Sequence, residues 1–255
     1  MSERMLGYDG ERVVPDDARL RNLLIEDLSK FHFASQYAMD KSVLDAGCGA
    51  GQGSAYLAQK GARHVIGVDI SAEAVAYANG RYVSPGRLQN LAFGRMDVTR
   101  LAFRDQTFDM VTSMEVIEHL DKPEHYVAEI HRLLRDHGVL ILSTPNKHVS
   151  SPTPGSMWPH HVHEFYADEL QALLERYFSG VELWGLSIPV YDQHPVRRIV
   201  HRLAPLFKPI LPLGIRTRFL PTLQSMIKSD LELDDIVVSR ERVTEKSTLL
   251  AICRA

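Results

Sequence analysis

The sequence predicts an α/β fold, a mostly parallel sheet covered by helices on both faces. Three observations carry that expectation. An apolar run ends in an acid and then in alternating glycines, Val43-Leu44-Asp45-Ala46-Gly47-Cys48-Gly49-Ala50-Gly51-Gln52-Gly53. Further apolar runs of strand length follow, each leading to an acidic residue: Asp69, Asp97 and Glu115. Stretches with helix-boundary residues separate them, so strand and helix alternate from about residue 40 to about residue 186.

The chain is expected to be helical or irregular up to about residue 40. Its aromatic side chains there (Tyr8, Phe31, His32, Phe33, Tyr37, with Arg12 beside them) suit either a lid or packing, and their helical spacing favours packing. The first strand then meets the glycine loop. Glycine lacks Cβ, so the backbone turns sharply and a ligand can approach the main chain, while the next helix, expected over 52–60, offers free N–H groups. The dinucleotide pattern G-x-G-x-x-G does not fit, because its third glycine would fall on Gln52, Ser54 or Tyr56. The second strand, His64-Val65-Ile66-Gly67-Val68-Asp69, places its acid where a βαβ unit would hold a ribose, so Asp45 and Asp69 are expected to face one pocket.

A helix over 71–82 follows, with Ser71 as its cap and Glu73 in its first turn. The third strand, Leu91 to Val98, carries Asp97, and the fourth, Phe108 to Met114, leads to Glu115. Helices are expected over 123–135, with Pro123 near its start and Gly138 beyond its basic end, and over 167–178. Acids recurring at successive strand ends matter because ligands of open α/β sheets bind at the carboxyl edge.

Composition fits one domain with one core: 255 residues, 45% hydrophobic, 24% charged, net charge −3. The only cysteines, Cys48 and Cys253, are expected to be reduced thiols, and no Cys₄ metal site can form. A polar, acidic N-terminal stretch and the lack of any run of about 18 apolar residues favour a cytoplasmic location. The segment 193–228 holds seven Lys or Arg and no acid, broken by Pro205, Pro209, Pro212 and Pro221. It is expected to be a substrate cap, the alternative being a peripheral contact with anionic lipid or a lipid-linked sugar phosphate. A pI of about 6.5 disfavours an extended nucleic-acid footprint.

The chemistry is expected from Glu115-Val116-Ile117-Glu118-His119. On a helix Glu115, Glu118 and His119 would share one face. Downstream, His148, His160, His161 and His163 lie just beyond the fifth strand, which would adjoin the fourth. Two readings stand. One is a divalent metal site with oxygen-rich ligation from Glu115, Glu118, His119 and His161, holding Mg²⁺ or Mn²⁺. The other is metal-free, with the carboxylates hydrogen bonding at the rim of the pocket and a histidine (His119 first, then His161 or His163) acting as general base.

Through Asp45-Ala46-Gly47-Cys48-Gly49-Ala50-Gly51, Asp69, Asp97 and Ser143-Thr144-Pro145-Asn146, the chain resembles the class I S-adenosylmethionine-dependent methyltransferases. The resemblance spans roughly residues 40 to 185. It implies a Rossmann-like, doubly wound sheet of seven strands whose last strand, Ser247 to Cys253, runs antiparallel. One domain would comprise an N-terminal helical lid (1–40), a cofactor-binding core (41–186), an inserted cap (187–244) and the final strand (245–255). The implied cofactor contacts are the backbone of Gly47, Gly49 and Gly51 for the methionine part, Asp69 for the ribose hydroxyls, and Asp97 with Val98 for adenine. Asp45, Ile70 and Glu115 complete that set.

The Glu-x-x-Glu-His pattern resembles the ubiquinone-pathway O-methyltransferases and the metal-dependent small-RNA 3′-terminal 2′-O-methyltransferases. A closer likeness is to bacterial sugar and polysaccharide O-methyltransferases, through Gly10-Glu11-Arg12-Val13-Val14-Pro15, Ser143 to Asn146, and Pro159-His160-His161-Val162-His163-Glu164-Phe165. It implies methyl transfer to a hydroxyl of a sugar, glycan or glycosylated metabolite. A small-aromatic acceptor, an RNA end, and a binding protein without chemistry are the alternatives.

Overall fold

The computed structural model describes residues 12–83, 87–188 and 231–255. The basic segment 193–228 and the residues Tyr8, Gly10 and Glu11 lie outside them. Among the described residues eight strands form one sheet, in the order β3-β2-β1-β4-β5-β8-β6-β7. They are β1 (Ser42–Ala46), β2 (His64–Asp69), β3 (Leu91–Arg95), β4 (Phe108–Met114), β5 (Leu134–Pro145), β6 (Gly180–Ser187), β7 (Val237–Ser239) and β8 (Thr248–Arg254). The first five pair in parallel, whereas β8 runs antiparallel to both β5 and β6. This is the expected Rossmann-like α/β sheet with its antiparallel last strand. The three-residue β7 is an addition, pairing antiparallel with β6 from within the segment expected as the cap.

Strand periodicity distributes the core over two layers. In β1, Leu44 and Ala46 pack into one apolar cluster and Val43 into the other, as alternation across a sheet requires. Helix α4 (Pro123–Leu133) covers the first layer with Tyr126, Val127, Ile130 and Leu133, a stripe at positions 1, 2, 5 and 8 that is fully buried. Beyond the one-turn α5 (Lys147–Ser150), helix α6 (Ala167–Leu174) adds Leu170, Leu173 and Leu174. Helices α1 (Arg21–Ser35) and α2 (Gln52–Gln59) cover the second layer. Phe31 of α1 lies so close to Gly53 of α2 that a Cβ there would overlap its ring. The aromatic residues Phe31 and Phe33 are therefore packing residues, buried beneath α1.

Helix α3 (Ala72–Ala78) starts as expected, with the Ser71 hydroxyl accepting from the Ala74 N–H at 3.2 Å, but passes into a π turn at Asn79–Val83. Gly138 differs from its expected role behind α4. The helix ends at Leu133 and the chain enters β5 directly, forming an irregularity between the pairs Phe108↔Leu134 and Met110↔Val139. Gly138 occupies that bulge, where a Cβ would meet the Arg135 carbonyl at 2.8 Å. Among the described residues no helix is long and apolar enough to cross a membrane.

Candidate active site

The carboxyl ends of β1, β2, β4 and β5 lie side by side in this strand order, and the polar residues singled out by sequence collect there. The glycine loop follows β1. Gly47 has a φ of +84°, and a Cβ on it would meet Val116 at 2.5 Å. Gly51 has a φ of +85°, with Ala78 and Phe93 within 2.7 Å of where its Cβ would stand. The N–H groups of Gly47 and Cys48 donate to the Val68 carbonyl, which ties the loop to the tip of β2. Asp69 completes the tie: one carboxylate oxygen accepts from the Gly49 N–H and the other from the Ser71 N–H, both at 2.9 Å. Ile70 beside it is 64% exposed, an apolar face offered at the strand tip.

Asp97 lies just beyond β3, exposed, with one oxygen accepting from the Thr99 N–H and hydroxyl, and Val98 is buried next to it. Asp45 does not face the opening as expected. It is 1% exposed and accepts from Ser54 at 2.5 Å and Thr112 at 2.8 Å, so it braces the loop from beneath. Burial pushes its pKa up to about 6, against the pull of those two hydroxyls.

The expected helical face of Glu115, Glu118 and His119 does not form. Glu115 takes a φ of +55°, and only Ile117–His119 close a single 3₁₀ turn. The left-handed residue turns Glu115 away from the other two. Its Oε1 accepts from Ser143 at 2.7 Å and pairs with Lys30 of α1 at 3.2 Å. Lys30 is 6% exposed and also faces Asp27 at 3.9 Å. Burial alone would lower its pKa, but the Glu115 and Asp27 carboxylates raise it and keep the ammonium charged. Gln52, at the start of α2, donates to Asp27 at 2.8 Å.

Glu118 is fully buried and accepts from Thr144 at 3.0 Å through Oε2. Its Oε1 is buried without a hydrogen-bond partner, 4.0 Å from His119 Nε2. Burial, and then the Glu115 charge, push its pKa well above the ordinary carboxylate range. His119 Nδ1 lies 3.1 Å from the His160 carbonyl. A carbonyl only accepts, so that nitrogen carries the proton and Nε2 is the acceptor turned toward Glu118. His161 stands edge-on to His119 at 5.0 Å between ring centres, and potential ligand atoms of Glu118, His119 and His161 all lie within 4.8 Å of one another. Glu115 is not in this group. Neither is His163, whose side chain turns to Glu169 at 3.7 Å and packs edge-on against Phe165.

Sequence reasoning overlooked Glu164. It is 2% exposed and accepts from His161 Nδ1 at 2.6 Å, Ser150 at 3.0 Å and the Ser151 hydroxyl. The His-x-x-Glu spacing was the available signal. Although burial would raise its pKa, the His161 and Ser151 hydrogen bonds hold it down at about 2. A carboxylate depressed on folding contributes stability above its ordinary range, and that contribution is lost as pH falls from about 5 toward 2. Glu164→Gln is therefore expected to lower the unfolding free energy at pH 7 by about 3 kcal/mol and to flatten the acid limb of stability below pH 5. Urea unfolding across that range measures it, and an unchanged acid limb would refute the assignment.

Residues 44–142 match a family model described as a methyltransferase domain. A probable S-adenosylmethionine-dependent methyltransferase of Mycobacterium tuberculosis is 35% identical over 199 residues, covering 72% of this chain and 66% of the relative, just under two thirds of its length. The ubiquinone biosynthesis O-methyltransferase of Paraburkholderia xenovorans is 34% identical over 119 residues, 46% of this chain and 50% of that protein. Among solved structures, a S-adenosylmethionine-dependent methyltransferase of Thermotoga maritima, possibly a histamine N-methyltransferase by its description, superposes with a TM-score of 0.62 at 16% identity, covering 92% of this chain and 91% of that one. That likeness concerns the fold.

Proposed function

From the match of residues 44–142 to the methyltransferase-domain model and the similarity to S-adenosylmethionine-dependent methyltransferases, we propose that this chain transfers the methyl group of S-adenosylmethionine to a hydroxyl of a sugar, glycan or glycosylated metabolite. The observation that carries the reading is the cluster of Glu118, His119 and His161 beside the β4 tip, with one carboxylate oxygen lacking a partner. The sulfonium already has a good leaving group. The acceptor needs help, because a sugar hydroxyl is a poor nucleophile at neutral pH.

Asp69, Ile70, Asp97 and Val98 receive the nucleoside on the β2–β3 side, and the glycine loop takes the methionine part. The acceptor oxygen attacks the methyl carbon in line, the C–S bond breaks with its electron pair going to sulfur, and S-adenosylhomocysteine leaves as a neutral thioether. The acceptor proton passes to His119 Nε2 or to His161, whose ring Glu164 orients through Nδ1. The left-handed Glu115, held by Lys30 and Ser143, keeps a carboxylate beside the positive sulfonium.

The donor set also fits a divalent ion. The partnerless Glu118 oxygen and two imidazoles fixed through Nδ1 are the groups such an ion needs, with second-shell partners already in place. Glu118, His119 and His161 would hold it, and with Glu115 turned away this set of one oxygen and two nitrogens suits Mn²⁺ better than the oxygen-seeking Mg²⁺; the ion would lower the pKa of a coordinated hydroxyl. A small aromatic acceptor is the second reading, favoured by the identity to the ubiquinone-pathway enzyme.

Labelled S-adenosylmethionine, offered with short glycans, nucleotide sugars, catechols and RNA ends, tests these readings. Labelling of a glycan that EDTA abolishes and Mg²⁺ or Mn²⁺ restores is the expected result. Labelling that survives EDTA would leave the histidine base without a metal. Labelling of catechols or RNA ends alone would overturn the sugar acceptor.

A further inference from the structure

We propose that the cleft between α4 and α6 is a second sugar subsite, which receives the residue next to the one methylated; this rests on the sugar reading above. The cleft has a volume of about 420 Å³ and opens between the start of α4, the 163–165 segment and α6 with the turn that follows it. That size lies within the range of small-molecule sites.

Its position ties it to the catalytic cluster. The Glu118 carbonyl accepts from the N–H groups of both Val162 and His163, at 2.8 and 3.1 Å. The chain carrying His161 is thereby pinned to the turn carrying Glu118 and His119. His161 meets the catalytic group on one side of this pinned segment, and His163 enters the cleft on the other. His161 and His163 are two residues apart, at most about 7 Å along the backbone, so the cleft begins beside the segment that carries the catalytic histidine.

The lining suits a carbohydrate. Hydroxyl groups both donate and accept, and the cleft offers acceptors on Glu124 and Glu169 and donors on His163 and Arg176, above an apolar wall of Ala172 and Leu173. Two of the polar groups are already held by other contacts, so little freedom is lost on binding. Glu169 accepts from the Tyr166 N–H at 3.1 Å, and the His163 ring rests on Phe165 at 4.5 Å between centres.

Ala172 and Arg176 are exposed and one helical turn apart, so substitutions there leave the core intact. The test compares a methyl monosaccharide with the linear trisaccharide of the same sugar, using the whole chain and its Ala172→Trp and Arg176→Ala variants. The wild type is expected to show a kcat/KM at least tenfold higher for the trisaccharide. Both variants are expected to erase that advantage through KM, with the monosaccharide unaffected. Equal values for the two acceptors, or variants that keep the wild-type ratio, would overturn the subsite while sparing the sugar reading. Methylation of neither sugar would remove the sugar reading itself. Calorimetric binding of the trisaccharide, weakened by Ala172→Trp, gives a readout independent of turnover.

Discussion

Replacing His119 with alanine is expected to lower kcat by about 10²- to 10⁴-fold and to leave the Kd for S-adenosylhomocysteine within twofold of wild type. The size follows from what the residue does. Its Nδ1–H is fixed on the His160 carbonyl, so Nε2 is presented toward Glu118 in one tautomer. A proton acceptor so placed acts on the reacting hydroxyl and contributes to the transition state, and the nucleoside is bound by other strands. Glu118→Gln is expected to reduce turnover as well. It keeps the acceptor bond from Thr144 but replaces the partnerless oxygen with a neutral amide. If His119→Ala turns over at more than a tenth of the wild-type rate, the base has been misassigned and His161, backed by Glu164, becomes the candidate. A variant that also loses S-adenosylhomocysteine would instead indicate a disturbed fold.

How much of this was legible in the sequence depends on which interactions set each residue. The strands and helices of the core were readable because their burial follows the periodicities of single elements: Leu44 and Val43 alternate across β1, and Tyr126 to Leu133 repeat along α4. The glycine loop and Ser71 cap were readable for a similar reason, since each acts over a few residues. Glu115 was not. Nothing local announces that a glutamate will take a φ of +55°, a conformation sustained by Ser143 from β5 and Lys30 from α1. Without that turn Glu115 would have joined Glu118 and His119, as helical spacing suggests.

Asp45 and His163 show the same limit in opposite directions. Asp45 was expected to face the cofactor pocket because it lies at a strand end, and His163 to face the reaction as one of the histidines beyond the fifth strand. Asp45 is drawn beneath the loop by Ser54 and Thr112, whose contributions come from different elements. His163 is drawn aside because the Glu118 carbonyl holds its backbone. Lys30 and Glu164 went unnoticed because a lysine amid aromatic residues and a glutamate after three histidines read as solvated charges. Their burial at 6% and 2% could be seen only once the partners were in place.

Asp69→Asn is expected to show the reverse kinetic pattern to His119→Ala, with the Kd for S-adenosylhomocysteine raised about 10²-fold and kcat at saturating cofactor nearly unchanged. The carboxylate is 9% exposed, and each oxygen already accepts one backbone N–H, from Gly49 or Ser71. Each oxygen has a second lone pair, so the pair can still receive a ribose diol while its first bonds hold the loop in shape. The amide turns one acceptor into a donor. It loses a charge-assisted bond worth about 1.5–3 kcal/mol, and it sets an NH₂ against a backbone N–H that must then shift. Asp97→Asn is expected to cost less, about tenfold, because that carboxylate is exposed and its hydrogen bonds stay within its own turn. Calorimetric titration of S-adenosylhomocysteine into the three proteins decides the matter. Equal affinities would mean that the nucleoside does not lie across the tips of β2 and β3, and the cofactor would have to be placed elsewhere along the glycine loop.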